Sequence, residues 1–313
     1  MTRGFPSRRL VVTGSAGFVA RHFIEHIDNT ANGPRSVIGF DIRPATSLTG
    51  HIECDLTNPE SIRTCLREAE PDVVVHFAGV TQGTDLDPYL RVNVVGTHNL
   101  LQAAAALPIP PLIVTIGSAA QYGATSGTDV ILTEESPQLA RGAYGLSKVF
   151  QEKWAALFAA TTNVPIVGVR IFNIIGPGEP DHLVPGAFLS QVAEVVAGKR
   201  SQVEVGNVET RRDFIDVRDV ARAIWNLIGA YEPSVKGQFY NVASGKAVRI
   251  RDLIDASVAL SGHAIPIVVD ATRLRANDVA CVIGDSSKLL ALTGWRPTIP
   301  WRESIAAAWN GRT

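Results

Sequence analysis

Tyr144 and Lys148 stand four residues apart in the segment AYGLSK. On a helix that begins near Gly142, that spacing puts both side chains on one face. A free phenol titrates near pH ~10. An ammonium beside it favours the phenolate and is expected to bring Tyr144 down towards working pH. Such a tyrosine can give a proton to a ketone or take one from an alcohol. Ser118, in GSAAQYG, is the third candidate, since a hydroxyl bonded to the same reacting oxygen would fix its orientation. Taken alone, a tyrosine and a lysine at this spacing are equally a surface pair on a helix. The trio gains weight from its place, just past the fifth strand of a chain that opens on a glycine turn.

That turn is TGSAGFVA, residues 13–20. Gly14 and Gly17 follow an apolar strand and open a helix. Glycine lets the backbone turn tightly and approach a pyrophosphate, whose charge then sits on the helix N-terminus. Ala20 occupies the third small position, so the expected contacts are Gly14, Ala16, Gly17, Phe18 and Val19. Asp41 ends the second strand, where a carboxylate bonds ribose hydroxyls. Asp55, followed by Leu56, ends the third, where an acid can bond an adenine amino group. A carboxylate at Asp41 repels a 2′-phosphate and favours NAD(H). Arg43 can pair with that phosphate, so NADP(H) stays open.

These residues need a frame, and the pattern supplies one. Apolar β-branched runs at 9–13, 36–40, 51–54, 72–77, 112–116 and 166–171 alternate with helical stretches at 20–27, 60–68, 92–106 and 143–161. Continuous apolar strands fit a parallel sheet covered on both faces. The expected fold class is α/β, a doubly wound parallel Rossmann sheet with a smaller α/β C-terminal substrate-binding cap. After Asn173 comes the turn GPGEP (176–180), then helices at 184–198 and 216–227 and a strand at 238–242. A further helix begins at Ile250, a short strand lies near Ile267, and a last helix begins at Trp301. The expected division places 1–173 in a dinucleotide-binding domain, with 213–243 returning to it, and 174–212 and 244–313 in the cap. A cleft is expected between them, at the carboxyl ends of the strands.

The chain has 313 residues, 46% hydrophobic and 19% charged, with a net charge of -1. That is enough apolar material for a large core, and the charge is spread without a basic stripe, which argues against nucleic acid. Cys54, Cys65 and Cys281 lack metal-ligand spacing and read as small buried hydrophobes of a reducing compartment. With no apolar run of about 18 residues and no cleavable leader pattern, a cytoplasmic protein off the membrane is expected.

Six segments together carry a family resemblance: TGSAGF, HFAG (76–79), NVVGTHNLLQA (93–103), GSAAQYG, YGLSK and RIFNIIGPG (170–178). Over nearly its whole length the chain resembles the extended short-chain dehydrogenases/reductases, the NAD-dependent epimerase/dehydratase family, which act on nucleotide-linked sugars. The resemblance implies that Tyr144 is the acid/base, Lys148 its partner and nicotinamide-ribose contact, and Ser118 the substrate-orienting hydroxyl. It adds Phe77, Ala78, Gly79 and Asn93 to the cofactor side. On the substrate side it implies Thr81, His182, Leu183 and Val184, with Asn173 and Arg212 on the nucleotide diphosphate. Arg275 and Asp278, in RLRAND, match a late Arg-x-x-Asp that grips diphosphate and ribose. Physically, arginines recognise two phosphate charges by forked hydrogen bonds. Arg212 reads otherwise as a salt bridge at the start of an acidic helix (DFIDVRD), and Arg275 as an ordinary surface ion pair. The resemblance also implies a homodimer through a four-helix interface, from the small-residue-rich helices 92–106 and 143–161.

Departures from the family pattern narrow the reaction. Dehydratases carry an Asp-Glu pair after the catalytic hydroxyl, where Ala119 and Ala120 stand here. The fucose-synthase branch adds a cysteine near that place, also absent. His182 falls where that branch has a histidine acid, but reads more readily as substrate contact or as a cap on the next helix. Segments 205–223 and 273–300 are similar to the GDP-6-deoxy-4-keto-mannose reductase branch, although a glutamate is common there in place of Gln121. The expected reaction is reduction of the C4 ketone of a GDP-linked sugar, with a UDP-linked one open. The alternatives are a nucleoside-diphosphate-sugar 4-epimerase with tightly bound NAD and, from another class, a non-catalytic dinucleotide-sensing protein.

Overall fold

The computed structural model describes residues 8–31, 33–44, 48, 50–83, 85–123, 129–273 and 279–312. The first half alternates strand and helix: β1 Arg9–Thr13, α1 Phe18–Asp28, β2 Ser36–Asp41, β3 Gly50–Glu53, α2 Pro59–Ala69 and β4 Val73–His76. A helical run follows, α3 Leu86–Pro88, a π-wound stretch Tyr89–Gly96 and α4 Thr97–Ala105. Then come β5 Leu112–Ser118, β6 Asp129–Leu132, α5 Ala143–Thr161, β7 Ile166–Ile171, β8 Asn173–Ile175, α6 Val184–Val196, β9 Val203–Val205 and β10 Arg211–Asp216. The remainder is α7 Val217–Gly229, β11 Phe239–Val242, β12 Ala247–Arg249, α8 Ile250–Ser261, β13 Ile267–Val269, β14 Cys281–Gly284, α9 Ser287–Thr293 and α10 Trp301–Asn310.

Seven strands form one parallel sheet in the order β11-β7-β5-β4-β1-β2-β3. The doubly wound α/β class is therefore the observed one. Its inner strands are mostly apolar on both sides because both faces are covered. Leu10, Val12, Val73, Val75, Val114 and Val169 face one core with α1 and α7. Val11, Val74, Ile113 and Ile166 face a second core with α2, α4 and α5. Strand order reverses between β1 and β4, which opens the carboxyl edge of the sheet there. A smaller sheet, β12-β10-β14-β6 with β8 beside β10, and the β9–β13 pair complete the topology. The smaller core packs α6, α8 and α10 around Phe214, Val248 and Trp309.

Two expectations need correction. The helix expected over 92–106 begins at Leu86, because Pro88 in a first turn forfeits no hydrogen bond. The acidic segment before α7, read as a helix start, is strand β10. Phe214 and Ile215 are buried in it, and Arg212 pairs in register with Val248 and Val282. The chain thus rejoins the large sheet at α7 and β11. Among the described residues, no helix is long and apolar enough to cross a membrane.

Candidate active site at the carboxyl edge of the large sheet

The turn between β1 and α1 is built by close backbone approach. Gly14 takes φ 66°, and its amide donates to Phe40 O at 2.8 Å. A Cβ there would lie 2.6 Å from the Ala78 backbone, so only glycine lets β1 and the segment after β4 come together. Gly17 is the extended N-cap of α1, and no side chain caps that helix. The first-turn amides from Phe18 and Val19 therefore lack intrahelical acceptors and face the turn with the positive end of the helix dipole. Asp41 is only 8% exposed and ties the turn to β2. Its carboxylate accepts from Ala16 N at 3.1 Å and from Arg43 N at 3.0 Å. Asp55, exposed past β3, accepts from Thr57 N and its hydroxyl, and Leu56 is buried beside it. Phe77 packs on Phe23. An uncapped helix end, a bare glycine turn and a strand-end carboxylate fit a dinucleotide.

Ser118 is the last residue of β5, and Tyr144 opens α5. The Ser118 hydroxyl lies near enough to the Tyr144 phenol to favour its ionised form. Burial pushes that phenol above its usual range, Ser118 pulls the other way, and Tyr89, 6.2 Å away between ring centroids, adds to the rise. The expected depression of Tyr144 by Lys148 is thus overturned. The Lys148 ammonium instead donates to Ile116 O and Gln151 Oε1, each at 2.8 Å. Burial draws Lys148 itself down to about 8. With two of its protons engaged away from the phenol, its charge is not what sets Tyr144.

Behind Lys148 runs a buried chain that the sequence did not disclose. Gln151 Nε2 donates to Thr97 Oγ1 at 3.1 Å, and Thr97 donates to Asn93 O at 2.7 Å. His76 Nε2 lies 2.8 Å from Thr97 Oγ1, and its Nδ1 lies 2.8 Å from Thr13 Oγ1. Because the Thr97 proton goes to Asn93, His76 donates from Nε2 and accepts from Thr13. Burial and then the Lys148 charge hold His76 neutral, down to about 3. Asn93 also clamps Val80 through both its amide atoms and donates to Ser147 Oγ. A Cβ on Gly79 would sit 3.1 Å from Asn93 Oδ1 and 3.4 Å from Lys148 Nζ, so bare backbone borders the lysine.

On the opposite side, Thr81 Oγ1 lies 3.2 Å from His182 Nε2. Leu183 is the N-cap of α6 and no side chain caps that helix, so the expected capping role of His182 is overturned. The imidazole turns to Thr81, and burial lowers its pKa. Val184 opens α6 and is 46% exposed. Asn173 is exposed past β7 and donates to Asp213 O at 2.8 Å. Arg212 donates to Arg211 O and Val279 O from within β10, not from a helix start as expected. Arg275 and Asp278 lie outside the described residues. The structure thus joins Ser118 to Tyr144, Lys148 to the surroundings of Gly79 and Asn93, and Thr81 to His182. It does not hydrogen-bond Lys148 to Tyr144.

Residues 10–243 match the model of the NAD dependent epimerase/dehydratase family. The chain belongs to that family. Among its similar proteins is the GDP-6-deoxy-D-mannose reductase of Pseudomonas aeruginosa, 32% identical over 98% of both chains. The GDP-6-deoxy-D-talose 4-dehydrogenase of Aggregatibacter actinomycetemcomitans is 27% identical over 91% of both. Among solved structures, RMD from Pseudomonas aeruginosa complexed with NADPH superposes with a TM-score of 0.85, at 30% identity over 97% of this chain and 98% of that one. The family accounts for both the large parallel sheet and the smaller mixed one. A nicotinamide dinucleotide is the cofactor class typical of that family.

Proposed function

We propose that this chain reduces the C4 ketone of a GDP-linked 4-keto-6-deoxy sugar. The observation that carries the reading is the placement of Ser118, at the end of β5, beside Tyr144 of α5, at the carboxyl edge of the large sheet with the glycine turn of a family member. Bound nicotinamide would supply the hydride. The turn amides of Phe18 and Val19, with Gly14, Ala16 and Gly17, hold the pyrophosphate. Asp41 takes the ribose, which favours NAD(H), while the exposed Arg43 side chain leaves NADP(H) open. Asp55, Leu56, Phe77, Ala78, Gly79 and Asn93 complete the dinucleotide wall, and Lys148 takes the nicotinamide ribose. Ser118 orients the ketone oxygen, and Tyr144, kept protonated by burial, gives it the proton. Thr81, Asn173, His182, Leu183 and Val184 line the sugar side. Arg212, Arg275 and Asp278 hold the diphosphate and ribose.

Ala119 and Ala120 supply no acid where elimination of water would need one, which supports reduction over dehydration. Similarity to the GDP-6-deoxy-D-mannose reductase favours the GDP-linked substrate over a UDP-linked one. The dinucleotide-binding part is 1–173 with the chain returning through α7 and β11, and the cap comprises 174–212 and 244–313. A homodimer through the helical run 92–106 and α5 is part of the same proposal, supported by the exposed Val95 of the π-wound stretch and Leu146, Phe150 and Leu157 of α5. The test is a panel of GDP- and UDP-linked 4-keto-6-deoxy sugars, with oxidation of NADH and NADPH followed by absorbance. Oxidation driven by the GDP-linked ketone supports the reading. Interconversion of epimers without added cofactor would replace it by a 4-epimerase.

A further inference from the structure

The Ser118 hydroxyl is only as well placed as its backbone, and one buried side chain holds that backbone. Ser118 N donates to Gln121 Oε1 at 2.8 Å. Gln121 is fully buried, and its Nε2 donates to Glu152 Oε2 at 2.7 Å. A carboxylate can only accept there, so the orientation of the amide is fixed by both its partners. Glu152 in turn is saturated. Its Oε2 also takes Arg170 Nε at 2.8 Å, and its Oε1 takes Arg170 Nη2 at 2.7 Å and Gln138 Nε2 at 2.6 Å. The space the amide oxygen fills exists because Gly117 has no side chain. A Cβ there would lie 2.5 Å from Gln121 Oε1. The next residue is pinned as well, since Tyr122 donates to Asn241 Oδ1 at 2.6 Å and accepts from Arg170 Nη1 at 2.7 Å. The turn after β5 is thus bolted to a buried ion pair on α5 and β7.

We propose that Gln121 is a positioning residue: it transmits the rigid Glu152–Arg170 pair to Ser118 and so sets the hydroxyl against the Tyr144 phenol. A neutral amide suits the place because it accepts from Ser118 and donates to a carboxylate at once, which no apolar or purely acidic side chain does. The inference rests on the roles proposed for Ser118 and Tyr144, so its test needs no substrate. Tyrosines labelled at Cζ report phenol hydrogen bonding, and the five in this chain are reduced to one assignment by Tyr144→Phe. Ser118→Ala should move the Tyr144 resonance. Gln121→Met should move it in the same direction, and the double variant should land where Ser118→Ala alone lands. Gln121→Glu keeps the acceptor oxygen but sets a second carboxylate against Glu152 in place of a donor, so it should move the resonance as well, which also covers the case in which Gln121→Met fails to fold. A Tyr144 signal unmoved in Gln121→Met while Ser118→Ala shifts it would overturn the proposal. So would a Tyr144 signal left at its wild-type position in Gln121→Glu. In turnover, Gln121→Met should lower kcat about tenfold or more with KM little changed, as expected for lost orientation. If the wild type reduces no keto sugar, the proposed function fails while the labelled-tyrosine result still decides Gln121.

Discussion

Tyr144 sits in a setting that keeps its proton on. Burial raises the phenol and Ser118 only partly offsets it. A protonated phenol is the form that reduction of a ketone consumes, whereas oxidation of an alcohol needs the phenolate. Reduction rates are therefore expected to stay level through neutral pH and to fall only as pH rises through the elevated phenol pKa, checked by kcat/KM against pH. Tyr144→Phe should cut turnover at least about a hundredfold while the dinucleotide still binds, as measured by fluorescence titration alongside steady-state rates. Glu179, in the turn before α6, offers a stability test at the same scale. Burial pushes its carboxyl up to about 8, partly countered by the amides of Gly186 and Gly176 and by Arg312, and its Oε2 has no hydrogen-bond partner. Between the ordinary carboxyl pKa of about 4.3 and that raised value, the folded state keeps a proton that the unfolded chain has released, so stability falls as pH rises. The fall amounts to about 1.4 kcal/mol for each pH unit crossed in that window, and Glu179→Gln should flatten it. Denaturant midpoints that decline equally with pH in both proteins would refute it.

At the scale of elements, α5 has two jobs on two faces. Its buried face carries Lys148, Gln151 and Glu152 into the site, and its exposed face presents Leu146, Phe150 and Leu157. Phe150→Glu is expected to leave folding intact and convert a dimer to a monomer in sedimentation, and a monomeric wild type would refute the proposed dimer. The spacing of Tyr144 and Lys148 made this helix legible in the sequence, because i and i+4 share a face wherever a helix forms. What spacing could not show is where the ammonium goes. That depended on Gln151 and on the carbonyl of Ile116, the one a helical turn onward and the other on a different strand. Strand β10 was illegible for a related reason. RRDFID carries four charges, and only pairing with β8, β12 and β14 reveals that Phe214 and Ile215 are its buried residues. The carboxylate partner of Gln121 likewise lies on α5, 31 residues away, a separation that no local pattern around a lone amide reports.

Over the whole molecule, the strand order places the site. Reversal between β1 and β4 puts the glycine turn next to the segment after β4, and β5 delivers Ser118 one strand further along the same edge. That arrangement was readable from continuous apolar strands and a glycine turn, since both report local needs of a covered parallel sheet. The smaller sheet was not, because its strands are short and draw on distant segments, from β6 to β14. In the proposed reaction, hydride arrives at a sugar C4 while Tyr144 supplies the proton. The most direct measurement uses nicotinamide dinucleotide deuterated at the transferring position, with a GDP-linked 4-keto-6-deoxy sugar, and locates the label in the product by NMR. One deuterium on C4 is predicted for each dinucleotide oxidised, lost in Tyr144→Phe. Unlabelled product, or epimer formed without dinucleotide consumption, would contradict it.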